Sequence, residues 1–294
     1  MPLPTQKTPK KSALSDVTVL LYGKTKLGKS TLCSHAEGAL FLATESGLNH
    51  LEVYQSPIAT WDEMLAACSE IAAGQHPFKT IIIDTVDNAY RMCVEHVCRK
   101  FKVEHESDLG YGKGYALINN EFYRVLNKLA LLPYGLFLIS HAQEKEYETP
   151  RGKVMRTVPT IPDKARKIVL GMVDLVLYAD VEAVAGENGV TSFRRVIRTK
   201  PSPHYEAGDR TGRMPEVLDL DYATFLAAFE EARGQQAKAL TAPLGPPPAT
   251  PGTPASPASP NAPPAPQPTA PAKPAAPPPA TAPAQRPAPA AAPK

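Results

Sequence analysis

Short apolar runs alternate along this chain with stretches in which apolar residues recur every three or four positions. Val17 to Tyr22, Ala39 to Thr44, Lys79 to Asp84 and Gly135 to Ser140 read as strands. Val173 to Ala179 and Phe193 to Thr199 read as two more. The run ending at Asp84 is almost continuously apolar, as expected of a strand covered on both sheet faces. Between the strands the pattern predicts helices near Lys29 to Ala36, from Thr60 to about Ala73, from Asn88 to Phe101 and from about Tyr115 to Leu132. Thr60 and Glu63 have the spacing of a capping box. Strands alternating with helices predict an α/β fold with a mostly parallel sheet and helices on both faces. No internal repeat is evident.

Composition divides the chain. Residues 234–294 are almost entirely Pro, Ala, Thr, Ser and Gln, with no acidic residue. Such a segment buries too little surface to offset its ordering entropy, which predicts a disordered Pro/Ala-rich tail with polyproline character. Residues 1–15 read as a flexible basic arm, leaving 16–233 as one folded domain. The formal charge of +3 comes from the ends: arm and tail hold seven of the 32 basic residues, and the other 25 face 29 acidic ones, so the core is near −4. The fold as a whole is not a polycation, and any grip on nucleic acid needs local clusters. Cys33, Cys68, Cys93 and Cys98 lie in predicted helices without a C-x-x-C pair, as reduced, mostly buried thiols do. No apolar run reaches membrane-spanning length. The expectation is a soluble, cytoplasmic protein.

The chemistry starts after the first strand. Gly23, Lys24, Thr25, Lys26, Leu27, Gly28, Lys29 and Ser30 satisfy G-x-x-x-x-G-K-[ST], followed by Thr31. The glycines let backbone N–H groups curl around phosphate, Lys29 brings a cation to the β and γ oxygens, and Ser30 can ligate Mg²⁺. The motif follows a strand and opens a helix, its required context. Asp84 ends a buried strand, where a carboxylate either holds Mg²⁺ opposite that loop or caps the next helix. Asp87 reads as an N-cap. Glu45 ends the second strand on the ligand face of a parallel sheet, where it can deprotonate a water or stand as a solvated loop acid. His141 follows the fourth strand on that face, placed to sense the γ-phosphate or to serve structure alone.

These residues resemble the RecA-like branch of P-loop ATPases. More narrowly, the chain looks like the short phage-encoded RecA-like ATPases, an AAA-domain nucleotide-binding family whose members act in single-strand DNA annealing or recombination. The tokens are Gly23 to Thr31, Thr44 to Gly47, Ile82 to Thr85, Gly110 to Gly114, Ser140-His141 and Gly208 to Gly212. The resemblance implies a RecA-like P-loop NTPase core that uses ATP and Mg²⁺. In it Glu45 activates water, Asp84 is the metal-binding acid and His141 is the sensor. It implies that the segment after the sensor strand meets single-stranded DNA. Residues 145–167 carry seven basic and three acidic residues, among them Lys145, Arg151, Lys153 and Arg156. A solvated hairpin with ordinary surface charge is the plainer alternative. Gly110 to Gly114, with Lys113, is a second candidate loop, or else a helix-entry turn. By the same resemblance Lys200, or Arg198, reaches the γ-phosphate of a neighbouring copy. The implied partners are single-stranded DNA, further copies of the chain in a ring or short array, and a single-strand-binding protein, with no membrane. Competing readings are an ATPase that acts on a protein partner, helicase- or loader-like, and a small-molecule P-loop kinase.

Overall fold

The computed structural model describes residues 13–110, 112–150, 152–185 and 191–241, with side chains through 234. The basic arm before residue 13 and the Pro/Ala-rich tail after 241 lie outside the described residues.

The strands are β1 (Thr18–Gly23), β2 (Ala39–Ala43), β3 (Tyr54–Pro57), β4 (Thr80–Asp84), β5 (Gly135–Thr149), β6 (Gly152–Pro159), β7 (Leu175–Ala185), β8 (Thr191–Arg198), β9 (Gly208–Asp209) and β10 (Val217–Asp219). The helices are α1 (Lys29–Ser34), α2 (Trp61–Ala73), α3 (Val86–Phe101), α4 (Lys113–Ala130), α5 (Asp163–Met172) and α6 (Tyr222–Thr241). The sheet runs β10-β8-β7-β1-β5-β4-β2-β3, with β6 paired to β5 and β9 to β7. From β7 to β3 neighbouring strands are parallel, whereas β6, β8, β9 and β10 pair antiparallel.

The side-chain period of two explains the continuous apolar runs. Ile81 and Ile83 of β4 enter one core, with Leu20, Leu136, Leu138 and the apolar faces of α2, α3, α4 and α5. Ile82, between them, enters the opposite core with Val19, Leu21, Phe41, Phe137, Ile139 and residues of α1 and α6. Ile82 is fully buried, so truncation to Ala costs about 2–5 kcal/mol. Helix α2 starts as its sequence requires: the Thr60 hydroxyl accepts from Glu63 N at 3.2 Å. The Glu63 carboxylate accepts from Ala59 N at 2.7 Å, one residue earlier than a capping box specifies. All four cysteines are free and buried. Among the described residues no helix is long and apolar enough to cross a membrane.

Three expectations change. The fourth strand does not stop at Ser140 but continues to Thr149 and turns back as β6, so the basic segment takes the hairpin form that was its plainer alternative, followed by α5. Beyond Ser140 its residues are polar on both faces, which leaves no apolar alternation to detect. Second, α5 and α6 form where the sequence pattern marked no helix, α5 in a charged stretch directly after Pro162. Third, Gly234 lies inside α6, so ordered structure passes Arg233 and reaches Thr241. Gln, Ala, Lys and Leu after Gly234 are good helix formers despite the polar composition.

Candidate active site

The loop from β1 to α1 folds around Lys29. The Lys29 side chain is buried, and its Nζ donates to the carbonyls of Gly23 at 2.9 Å and Lys24 at 2.8 Å. Burial lowers its pKa, against the nearby carboxylates of Asp84, Glu45 and Asp87, which raise it. Gly23 tolerates no side chain, because a Cβ there would stand 2.5 Å from the Ala179 carbonyl on β7. Gly28 adopts φ +105°, a left-handed conformation that side chains disfavour. Thr25, Lys26, Leu27, Gly28, Lys29, Ser30 and Thr31 line one wall of a cleft of about 770 Å³. The remaining wall comes from Glu45, Ser46, Gly47, His50, Asp84, His141 and Arg195. The P-loop, Glu45, Asp84 and His141 therefore converge on one cavity. Gly23 and Lys24 stand behind it, supplying carbonyls to Lys29.

Ser30 Oγ donates to Asp84 Oδ2 at 2.6 Å. Burial raises the Asp84 pKa, partly opposed by that hydrogen bond. Two hard oxygen donors at the mouth of a phosphate cradle are the donor set that magnesium takes. The Asp84–Thr85 peptide is cis.

Glu45 is oriented from one side. Its Oε2 accepts from Asn88 Nδ2 at 3.2 Å and from Thr85 Oγ1 at 3.5 Å, and lies 3.3 Å from His141 Nε2. All three contacts fall on Oε2, which leaves Oε1 as the oxygen that can accept from a water. Asn88 also donates to Thr44 O at 3.4 Å, tying the carboxylate to the end of β2.

Asp87 does not cap α3; Thr85 stands at the N-cap position. Its carboxylate accepts from Ser140 Oγ at 2.9 Å, from His141 N at 3.2 Å, and from the Thr160 hydroxyl. Burial raises its pKa, against those hydrogen bonds. It thus fixes His141 from behind and holds the residue that follows the hairpin. Asp87, Asn88, Thr160 and Arg195 are the residues that sequence reasoning missed. Asp87 and Asn88 carried a signal, since they lie one helical turn after Asp84.

The remaining predicted residues are not brought to this cleft. Lys200 lies beyond β8, where the chain runs toward the far end of the sheet, and its ammonium meets the fully buried Asp209 carboxylate at 2.9 Å. Within one chain it is not a residue of this site. Arg198 pairs with Asp180 at 2.8 Å. Lys113 is the first residue of α4. In the hairpin, Lys145 meets Asp163, and Lys153 meets Glu146 at 2.7 Å. Arg156 meets Glu206 at 3.3 Å and the carbonyls of Ser202 and Tyr205 at 3.4 and 3.2 Å. Arg151 lies outside the described residues. The cross-strand pairs Lys145–Arg156 and Tyr147–Val154 share one face, whereas Glu146–Met155 and Glu148–Lys153 share the other. The ribbon thus has a basic, aromatic face and a mainly acidic one.

The hairpin base also touches the P-loop strand. The Tyr22 hydroxyl, one residue before Gly23, donates to Glu206 O at 2.7 Å and accepts from Glu206 N at 2.9 Å, with Thr157 O of β6 3.2 Å away.

A family model described as an AAA domain matches residues 15–211. A prophage-derived uncharacterized protein of Bacillus subtilis (strain 168), YorG from SPbeta, is 26% identical over 192 residues, covering 63% of this chain and 55% of that protein. The chain thus spans about half the length of that curated relative. A KaiC-like protein from Pyrococcus horikoshii OT3 aligns with 63% of this chain and 78% of its own at 13% identity, with a TM-score of 0.35.

Proposed function

The chain belongs to the AAA domain family of P-loop ATPases, and from that premise we propose that it hydrolyses ATP with Glu45 as the base and uses the cycle to change how the β5–β6 hairpin holds single-stranded DNA. One observation carries the proposal: Glu45 and the hairpin strand meet at His141, 3.3 Å from the carboxylate. On ATP binding, Lys29 exchanges the Gly23 and Lys24 carbonyls for phosphate oxygens. Ser30 and Asp84 are the residues that would hold magnesium, which would compensate phosphate charge there. Glu45 accepts the proton of the attacking water at Oε1, held in place by its three contacts on Oε2. Loss of the γ-phosphate alters the partners of Glu45 and hence of His141, which sits on the same strand as Lys145 and Tyr147.

The DNA part rests on the resemblance to phage annealing and recombination ATPases and on the basic, aromatic face of the ribbon. DNA phosphates there compete with Asp163 and Glu206, the present partners of Lys145 and Arg156. Self-association into a ring or short array belongs to the same proposal. A neighbour's γ-phosphate would have to draw Lys200 from Asp209, or Arg198 from Asp180.

The test is the ATPase rate with and without single-stranded DNA at low salt, for the wild type and Lys29→Ala. A wild-type rate no higher than that of Lys29→Ala rejects the hydrolytic site. A normal rate, with DNA neither bound nor stimulatory, rejects the DNA part alone and leaves an ATPase that acts on another partner.

A further inference from the structure

The β8 strand carries arginines at 194, 195 and 198, and they are not equivalent. Arg194 pairs with Glu182 and Asp219, and Arg198 with Asp180 and Glu182. Arg195 forms no carboxylate pair among the described residues; its Nη1 donates instead to Leu27 O in the P-loop, at 3.3 Å. Gly28 permits the approach, since a Cβ there would stand 3.0 Å from that same Nη1. Arg195 is solvent-exposed at the cleft, on the strand face it shares with Ile197, which is fully buried in the core cluster that contains Leu32 and Cys33 of α1. The backbone is anchored as well, with Leu220 N donating to Arg195 O at 3.0 Å and Val196 paired to Asp219. Arg195 is thus a cation on the cleft wall, brought there from outside the P-loop by a supported strand.

Its position in the sheet says which part of the nucleotide it meets. Asp84, Glu45 and His141 come from β4, β2 and β5, all on one side of β1, and they define the γ-phosphate end. Strand β8 lies on the other side of β1, beyond β7. Resting on the ATP site proposed above, we propose that Arg195 is a nucleotide-binding residue that grips the phosphate chain from the flank opposite Glu45, on phosphates common to ATP and ADP. A guanidinium with one N–H on a carbonyl keeps other N–H groups for phosphate oxygens.

The test compares ATP and ADP affinity by calorimetry, with steady-state kinetics, for the wild type, Arg195→Ala, Arg195→Gln, Arg195→Lys and Lys29→Ala. Arg195→Ala and Arg195→Gln should weaken ATP and ADP by the same factor, roughly tenfold. KM should rise with kcat unchanged, because the contact is the same before and during reaction. Arg195→Lys should recover part of the loss. An unchanged ADP affinity in Arg195→Ala and Arg195→Gln overturns the proposal, as does a fall in kcat with KM constant. If Arg195→Ala does not fold, Arg195→Gln and Arg195→Lys give the same comparison. A wild type that binds no ADP, or a Lys29→Ala that binds as the wild type does, rejects the ATP site itself. A silent Arg195 beside a responsive Lys29 rejects only this assignment.

Discussion

Replacing Asp87 with Ala tests whether His141 is held from behind. The carboxylate serves the Ser140 hydroxyl, the His141 N–H and the Thr160 hydroxyl. Ser140 has a fallback acceptor in His141 O at 3.1 Å, so its loss is the smallest. The other two donors lose their acceptor in a part-buried site, at about 1 kcal/mol or more each. Removing a carboxylate whose pKa burial has raised returns some of that. The balance is a destabilisation of about 2–3 kcal/mol, or about 5–10 °C in Tm for a domain of this size. Urea melts at constant m-value read the first number and calorimetry the second. Asp87→Asn keeps one acceptor oxygen, loses the charge, and should fall between wild type and Ala. Hydrolysis should drop with Asp87→Ala, because His141 loses its backbone anchor while Lys29, Ser30 and Asp84 stay in place. A stability change within about 0.5 kcal/mol, together with an unchanged ATPase rate, would refute the reasoning.

Three further outcomes follow from the site and the hairpin. Glu45→Gln should retain ATP binding within a few-fold and lose roughly 10²–10⁴ in kcat, and a loss below tenfold in a single-turnover assay would remove Glu45 as the base. Asp84→Asn bears on pH. A carboxyl raised by burial holds its proton in the folded state over a range where the unfolded chain has released it, so its contribution to stability is lost as pH rises through that range. Asp84→Asn without nucleotide should therefore melt above the wild type at neutral pH, converge with it as pH falls below about 4, and hydrolyse nothing; a lower Tm at neutral pH would contradict this. Arg156→Ala should cost about 1–3 kcal/mol, because the guanidinium ties β6 to Glu206, Ser202 and Tyr205. Unchanged stability in a denaturant melt would instead mark Arg156 as a surface cation available to other partners.

Much of the site was legible because its residues sit at the ends of apolar runs. Gly23 to Ser30, Glu45, Asp84 and His141 each stand where the apolar run of a buried strand ends, and a parallel sheet aligns those ends on one side. Residues that act across distant segments were not legible. Arg195 reaches Leu27 over 168 positions of sequence, and nothing in the string Phe193-Arg194-Arg195-Val196 separates it from its neighbours. Asp87 looked like a cap because Asp is common at helix starts, and its real partners lie 53 and 73 positions away. The hairpin stood only as an alternative for another reason: from His141 to Thr149 the strand carries polar residues on both faces and shows no apolar alternation. Its basic residues could be counted in the sequence but their partners could not: Asp163, Glu146 and Glu206 answer Lys145, Lys153 and Arg156.

The alternation within that ribbon restricts how it can evolve. Lys145 and Tyr147 face one way and Glu144, Glu146 and Glu148 the other, and β5 continues without a break from His141 to Thr149. Inserting a single residue between His141 and Lys145 would exchange the two faces and turn the carboxylates toward Asp163 and Glu206. Length changes on the proximal arm should therefore arrive in pairs, or as a bulge that absorbs the odd residue. Among homologues the spacing from the histidine to the first lysine should thus conserve parity more strictly than length.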